Sequence, residues 1–593
     1  MIPNSLSALP RGTILAVAVA SCFASTHAVS NPTGPTVVTG TAAVVPSGST
    51  LNITNSPNAI INWQGFSIGA GEITRFIQQS PASAVLNRVT TANNPSSILG
   101  SLQSNGRVFL VNPSGILFGN GAQVDVAGLV ASTLNLSNED FLAGRLRFTE
   151  TLRARDVTNV GNIVTPEGGQ VYLVGSAVTN GGVITSPRGE VILAAGKSVE
   201  LVNPGTPGLS VEIVAPRNEA VNLGEIVANA GRVGIFAGLI RNSNLLQADT
   251  ATFGENGEIL LRATRNIRFD PTGFLNARTP GSIEPQTFVD INAGGNIRLG
   301  GPVNAENGRV NLTAGGNMLF NGPPGIPTVF AHYVNLRATT PGKTITAGPT
   351  GTVGASRIMD IVANGDVILP NSNPVNWLTA DIGAGGDLKM NIEGFLFPAI
   401  RGIRLTGGGD LELKYSAFDL SIQGDVSARR IRISNDLDFG GITISGFAGA
   451  TVSAPDLIDI RATQYVILQG NDVNFGAAAA IEGGGRVNVS AGGDIVLAGG
   501  PQPDSYALIS GRNLVLTVGG TLRLNEGMGA GTWARIQSLS TAGPIRVRFP
   551  NLARGGYFVN DVEGAVADGL NGIYTGNIPA VPGQTLLLEY GQP

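Results

Sequence analysis

Along much of the chain apolar and polar residues alternate with a period of two, in short runs broken by glycine. "VDINAGGNIRLGG" (Val289 to Gly301) and "RVNLTAGGNMLFNG" (Arg309 to Gly322) are two copies: an alternating run, an Ala-Gly-Gly-Asn corner, then a second alternating run. Alternation sends successive side chains to opposite faces, so each run predicts a half-buried β-strand. The theme returns as "MDIVANGDVIL" (Met359 to Leu369), "ADIGAGGDLKM" (Ala380 to Met390), "IDIRATQYVIL" (Ile458 to Leu468), "GRVNVSAGGDIVLAGG" (Gly485 to Gly500) and "RNLVLTVGGTLRL" (Arg512 to Leu524). Earlier, "GGQVYLVGSAV" (Gly168 to Val178) is echoed by "RGEVILAAGKSV" (Arg188 to Val199), with Val171 and Val191 20 residues apart.

Two short strands and a corner, followed by a polar, glycine-rich return, cannot bury their own apolar face, so each unit needs a neighbour stacked on it. At about 20 residues per turn this predicts an all-β fold, a right-handed parallel β-helix. Glycine suits the tight corners, and the recurrent Asn and Asp suit Asx turns and hydrogen-bonded ladders. Only the two ends of such a stack are open edges, and an N-terminal β cap is expected to close the first. A β-sandwich array would instead show hairpin loops and no 20-residue echo. One stretch interrupts the pattern: "GRLRFTETLRARDVTN" (Gly144 to Asn159) holds Arg145, Arg147, Glu150, Arg153, Arg155 and Asp156. It reads as a solvated hairpin projecting from the stack, with a basic patch for an anionic partner as the alternative.

Composition fits a stack. Only 13% of the 593 residues are charged, about half the usual share, while 42% are hydrophobic, enough for a core. Aromatics are 6%, so that core is aliphatic. A net charge of −4 argues against nucleic acid or an anionic membrane surface as partner. The N-terminus has one basic residue, Arg11, an uncharged apolar run from Thr13 to Ala24, and a small-residue exit at Ser25-Thr26-His27-Ala28. That is a secretory signal peptide over residues 1–28, with a lipoprotein reading at Cys22 as the alternative. Cleavage after Ala28 would remove the single cysteine and leave His332 as the one histidine. No later apolar run reaches membrane-spanning length, so no transmembrane segment is expected after cleavage.

Candidate chemistry is thin. Parallel β-helices include polysaccharide-acting enzymes with clustered carboxylates, and the candidates are Asp290, Asp360, Asp366, Asp381, Asp387, Asp459 and Asp494. They recur at equivalent points of the repeat, as turn residues do, so no catalytic residue, cofactor site or metal site is assigned and the chain is read as non-enzymatic. A zinc site or a nucleophilic triad would rest on His332 alone. Four Asn-x-Ser/Thr sequons occur, at Asn52, Asn135, Asn311 and Asn488; chance in a chain rich in these residues explains them, with glycosylation of an exported protein as the alternative.

The stretches "AIINWQGFSIGAGEITRFIQQSPASAVLNRVT" (Ala59 to Thr90), "NNPSSILGSLQSNGRVFLVNPSGILFGNGAQVDVAGLVASTLNLSNEDFLAG" (Asn93 to Gly144) and "GQVYLVGSAVTNGGVITSPRGEVILAAG" (Gly169 to Gly196) carry a resemblance. From Asn31 to about Phe269 the chain resembles the N-terminal secretion domain of two-partner secretion exoproteins, the group of filamentous haemagglutinin and the high-molecular-weight adhesins. The family's Asn-Pro-Asn-Gly-Ile motif falls on Asn112, Pro113, Ser114, Gly115 and Ile116, with Ser114 in place of Asn. Serine is expected to keep the turn through a local side-chain bond. The family's Asn-Pro-Asn-Leu motif has no counterpart, which places the chain nearer the adhesin-like branch that also lacks it.

The resemblance implies a signal peptide (1–28), a secretion domain (29–270), a β-helix repeat region (271–554) and a C-terminal segment of unassigned role (555–593). It implies export from a Gram-negative cell through the periplasm and a cognate outer-membrane barrel transporter with periplasmic domains. The product would be a secreted or cell-surface adhesin, or another surface-interaction protein, whose partner is a receptor or glycan on a host or neighbouring cell. An extracellular polysaccharide-acting enzyme is the alternative. A contact-dependent toxin carrier would need a compositionally distinct C-terminal domain, and Gly555 to Pro593 is too short and bland for one.

Overall fold

The computed structural model describes residues 31–590 except 152–153, 203–209, 216–217, 249–256, 278–286, 376–378, 385, 395–398, 406–407, 417, 446–448, 471–477, 540–543, 553–555, 569–570, 576–577 and 581–585. The expected signal peptide, residues 1–28, lies outside the described residues. Among those described, 55 strands form one continuous sheet system and four more form a separate sheet. Successive coils pair parallel and in register: Gln170–Gly175 lies on Glu190–Ala195 with Val171 opposite Val191, and Val289 lies opposite Val310. The fold is a parallel β-helix, with the periodicity read from the sequence.

Coils with short strands have three, not two. After Gln170–Gly175 come Val178–Asn180 and Val183–Thr185, before Glu190–Ala195 starts the next coil. Val178–Asn180 stands in the column of Ile297–Leu299, the second run, while Val183–Thr185 lies in the polar, glycine-rich return, where three residues are too few to show a period. Alternation fixes the interior. In Val303–Ala314, Val303, Ala305, Val310, Leu312 and Ala314 are buried, and all five join one core that runs through the stack. Burying an aliphatic side chain of this kind is worth about 1.5–3 kcal/mol.

One interior column is polar. Asn159, Asn180, Asn222 and Asn242 are fully buried in successive coils, and each Nδ2 donates to the next Oδ1 at 2.8, 2.9 and 2.9 Å. Phe118 sits in register before Asn159, and Phe269 after Asn242. The amide ladder therefore has apolar ends, and the Asn242 Nδ2 has no acceptor.

The ends differ from the middle. Thr36–Thr39 pairs antiparallel with Ala59–Trp63, and Ala42–Ser47 with Thr50–Asn55, which forms the expected N-terminal cap. In the C-terminal segment Asn571–Thr575 continues the parallel stack on Trp533–Ser538 and also pairs antiparallel with Ala567–Asp568 and Ile578–Pro579.

The charged stretch is not a solvated hairpin. Leu146–Thr149 is a strand of an antiparallel sheet with Asn135–Leu136, Ser198–Val202 and Ser210–Val214. Two outsized coils supply these strands. Leu129 stacks on Val171, and Val191 on Val233, each a step of 42 residues where the repeat is nearer 20. Phe148, Val199 and Leu201 of the sheet pack on the outer faces of the coils against Phe109, Tyr172 and Ile192, forming a second core. Two of its arginines, both half-exposed, pair with carboxylates outside the stretch: Arg145 with Glu139 (3.0 Å) and Asp140 (2.7 Å), Arg147 with Glu200 (2.8 Å). The stretch therefore docks, because its apolar face completes a core that a free hairpin would leave open. Arg153 lies outside the described residues.

Candidate functional site

The 11-residue strand Ser101–Val111 ends in Asn112-Pro113-Ser114-Gly115, and the chain resumes as the strand Ile116–Phe118. Asn112 is fully buried and its side chain bonds in two directions. Oδ1 accepts the Ser114 N–H at 2.9 Å, an Asx turn, while Nδ2 donates to the Asn94 carbonyl and the Ser96 hydroxyl, both at 2.9 Å. The Gly115 N–H donates to the Asn112 carbonyl at 3.1 Å. Gly115 has φ of 115°, where an L side chain is strained even though a Cβ would meet nothing nearer than 3.6 Å. Ile116 is buried in the core.

Backbone bonds stitch this turn to both neighbouring coils. The Ser96 N–H donates to the Gly115 carbonyl, the Asn112 N–H to Ser132, the Arg155 N–H to Pro113, and the Ile116 N–H to Asp156. Pro113 has no N–H, but its carbonyl is used. Ser114 contributes its backbone N–H to the turn; the expected bond from its hydroxyl is not what holds it. The five motif residues thus come together as one turn, and Asn94 and Ser96 complete it. The sequence signal for those two was the Asn94-Pro95-Ser96 echo, 18 residues before Asn112-Pro113-Ser114.

The Gly-Gly-Asn and Gly-Gly-Asp corners work differently. Asn266 Oδ1 accepts the Asn296 N–H (2.8 Å), Asn296 Oδ1 the Asn317 N–H (2.8 Å), and Asn317 Oδ1 the Thr344 N–H (3.0 Å). Asp366 does the same to Asp387 (2.8 Å), Asp387 to Asp410 (2.8 Å) and Asp494 to Thr521 (2.6 Å). These side chains bridge coil to coil and do not close Asx turns within a coil, because the next coil's N–H lies one strand spacing above.

Three further candidate carboxylates sit on outward strand faces in ion pairs. Asp290 meets Arg262 at 3.0 Å, Asp360 meets Arg337, and Asp459 meets Arg461 at 2.8 Å. Burial raises the Asp290 pKa against the opposing pull of Arg262. The side chain of Asp381 lies outside the described residues. His332 Nδ1 lies against the Ser356 hydroxyl. Among the described residues no group of three or more His, Cys, Asp or Glu is placed to hold a metal ion, and no helix is long and apolar enough to cross a membrane.

The turn thus sits in a capped parallel β-helix whose outer face carries a docked antiparallel sheet. Residues 28–299 match the family model described as the TPS (two-partner secretion) secretion domain, so the chain carries that domain. That domain indicates a protein secreted by way of the periplasm across the outer membrane of a Gram-negative bacterium. Two heme/hemopexin-binding proteins of Haemophilus influenzae are similar. One is 28% identical over 320 residues (51% of this chain, 34% of the relative) and one 27% over 237 (35% and 25%). The chain thus spans about a third of the length of one of these relatives and a quarter of the other. The crystal structure of the HMW1 secretion domain from the same species aligns with a TM-score of 0.47 at 26% identity, covering 65% of this chain and all of that one.

Proposed function

We propose that the chain is a non-enzymatic surface-interaction protein, an adhesin in the broad sense, whose transporter grips the secretion domain through periplasmic domains at or near the Asn112–Ile116 turn. The observation that carries the export half is the match over residues 28–299 together with the buried Asn112 and its three side-chain hydrogen bonds. Support for a non-enzymatic rod comes from the carboxylates, since the six with described side chains bridge coils or pair with arginine. The names of the two Haemophilus relatives favour a second reading, binding of heme or a heme-carrying protein, tested by titrating the purified chain with heme and with hemopexin.

The export half is tested by comparing Asn112→Ala with Asn317→Ala in cells expressing the cognate transporter. The first loses three side-chain hydrogen bonds, a local cost of about 1–3 kcal/mol; the second loses one exposed coil-to-coil bond. Secretion of Asn112→Ala is expected to fall severalfold while Asn317→Ala stays near wild type, with equal β content in both purified proteins. Equal secretion would reduce the motif to an ordinary corner.

A further inference from the structure

On the outer face of the stack, at the end of the secretion domain and running past it, lies a cleft of about 1080 Å³. Arg241, Arg268 and Arg298 form its floor, stacked in register in three successive coils. Three guanidinium groups at the strand spacing of about 4.8 Å would repel one another without a counter-charge. Asp270 supplies part of it: Oδ2 meets Arg241 Nε at 2.7 Å and accepts from the Ser243 hydroxyl at 2.5 Å, and Oδ1 meets Arg268 Nε at 2.9 Å. Burial raises the Asp270 pKa, but Ser243, Arg241 and Arg268 together outweigh it and hold the carboxyl below its usual range. Arg298, exposed on the strand Ile297–Leu299, has no partner among the described residues.

One wall of the cleft is the Asn266–Asn296–Asn317 ladder. Each Oδ1 already accepts the next coil's N–H with one lone pair, so these amides offer the cleft two N–H donors each against one remaining acceptor site. Thr344 and Thr346 continue the polar lining, and Leu239 and Leu319 add apolar surface. Glu219, at one end, is the second carboxylate of the lining.

We propose that this cleft binds an acidic glycan, a polysaccharide segment bearing carboxylate or sulfate groups, lying along the stack with an anionic group on Arg298. The proposal gives a ligand class to the surface-interaction reading and rests on it. A row of N–H donors and hydroxyls around one unpaired cation and apolar patches suits a hydroxyl-rich chain with spaced anions. A nucleic acid would require a denser run of positive charge than a cleft with two carboxylates, on a chain of net charge −4, provides.

The test measures binding of dextran sulfate and polygalacturonate to the purified full chain, with neutral dextran and single-stranded DNA as comparisons. Wild type is expected to bind at least one of the acidic polysaccharides, more weakly as salt rises. Arg298→Ala is expected to lower that affinity at least tenfold, roughly the loss of one charge-assisted contact, with unchanged circular dichroism. Arg432→Ala, an exposed arginine on the distant strand Arg430–Asn435, is expected to bind as wild type. Absence of binding to both acidic polymers, equal loss in the two variants, or stronger binding of dextran or DNA would overturn the proposal. Because export plays no part in the assay, such a failure is distinct from a failure of the secretion reading.

Discussion

Replacing Arg232 with methionine is expected to destabilise the coils around it by about 3–5 kcal/mol, the cost of stranding a buried charge. Glu190, Arg232 and Glu258 stand in register in three successive coils. Arg232 meets Glu190 at 2.9 Å and Glu258 at 2.6 Å, and the Glu190 side chain is 5% exposed. The Tyr172 hydroxyl donates to the other Glu190 oxygen at 2.5 Å, and burial, then the Glu190 charge, pushes its pKa up, so it stays a donor. Methionine fills the space but removes the arginine that neutralises the buried Glu190 carboxylate. Adding Glu190→Gln should recover much of the loss, since it removes the stranded charge. Urea unfolding with hydrogen exchange read on Glu190–Ala195 checks both, and an Arg232→Met chain as stable as wild type would refute the charge argument.

Phe148→Ala is expected to undock the outer sheet without unwinding the helix. Phe148 is fully buried in the second core, where truncating a phenylalanine costs about 3–5 kcal/mol. The main core is a separate cluster on the inner faces of the same strands. Amides of Leu146–Thr149 and Ser198–Val202 should exchange much faster, while those of Val303–Ala314 keep their protection. Simultaneous loss of protection in all three would mean that the two cores are one cooperative unit.

The docked sheet was legible in principle. Where only one face is buried the sequence alternates, as in Val303–Ala314, whereas Glu190–Ala195 is buried at every position and reads "EVILAA". The run Val108 to Val111 has the same cause: Val108 and Leu110 face the interior, Phe109 and Val111 the second core. A non-alternating run inside an alternating fold marks a covered outer face. Stacking itself was plain because register repeats identical side-chain types at fixed steps. The third strand was not, since Val183–Thr185 is only three residues long. At the turn, Asn112 and Gly115 were readable from residue chemistry. The bonds to Asn94 and Ser96 were not, because they depend on which coil lies beneath.

Export through an outer-membrane partner is the central claim, and its most direct measurement follows the full chain in cells with and without the cognate transporter. With the transporter, the account predicts a β-rich chain in the medium or exposed to protease at the cell surface; without it, the chain should be held or degraded in the periplasm. An equal extracellular amount in both cells would contradict it.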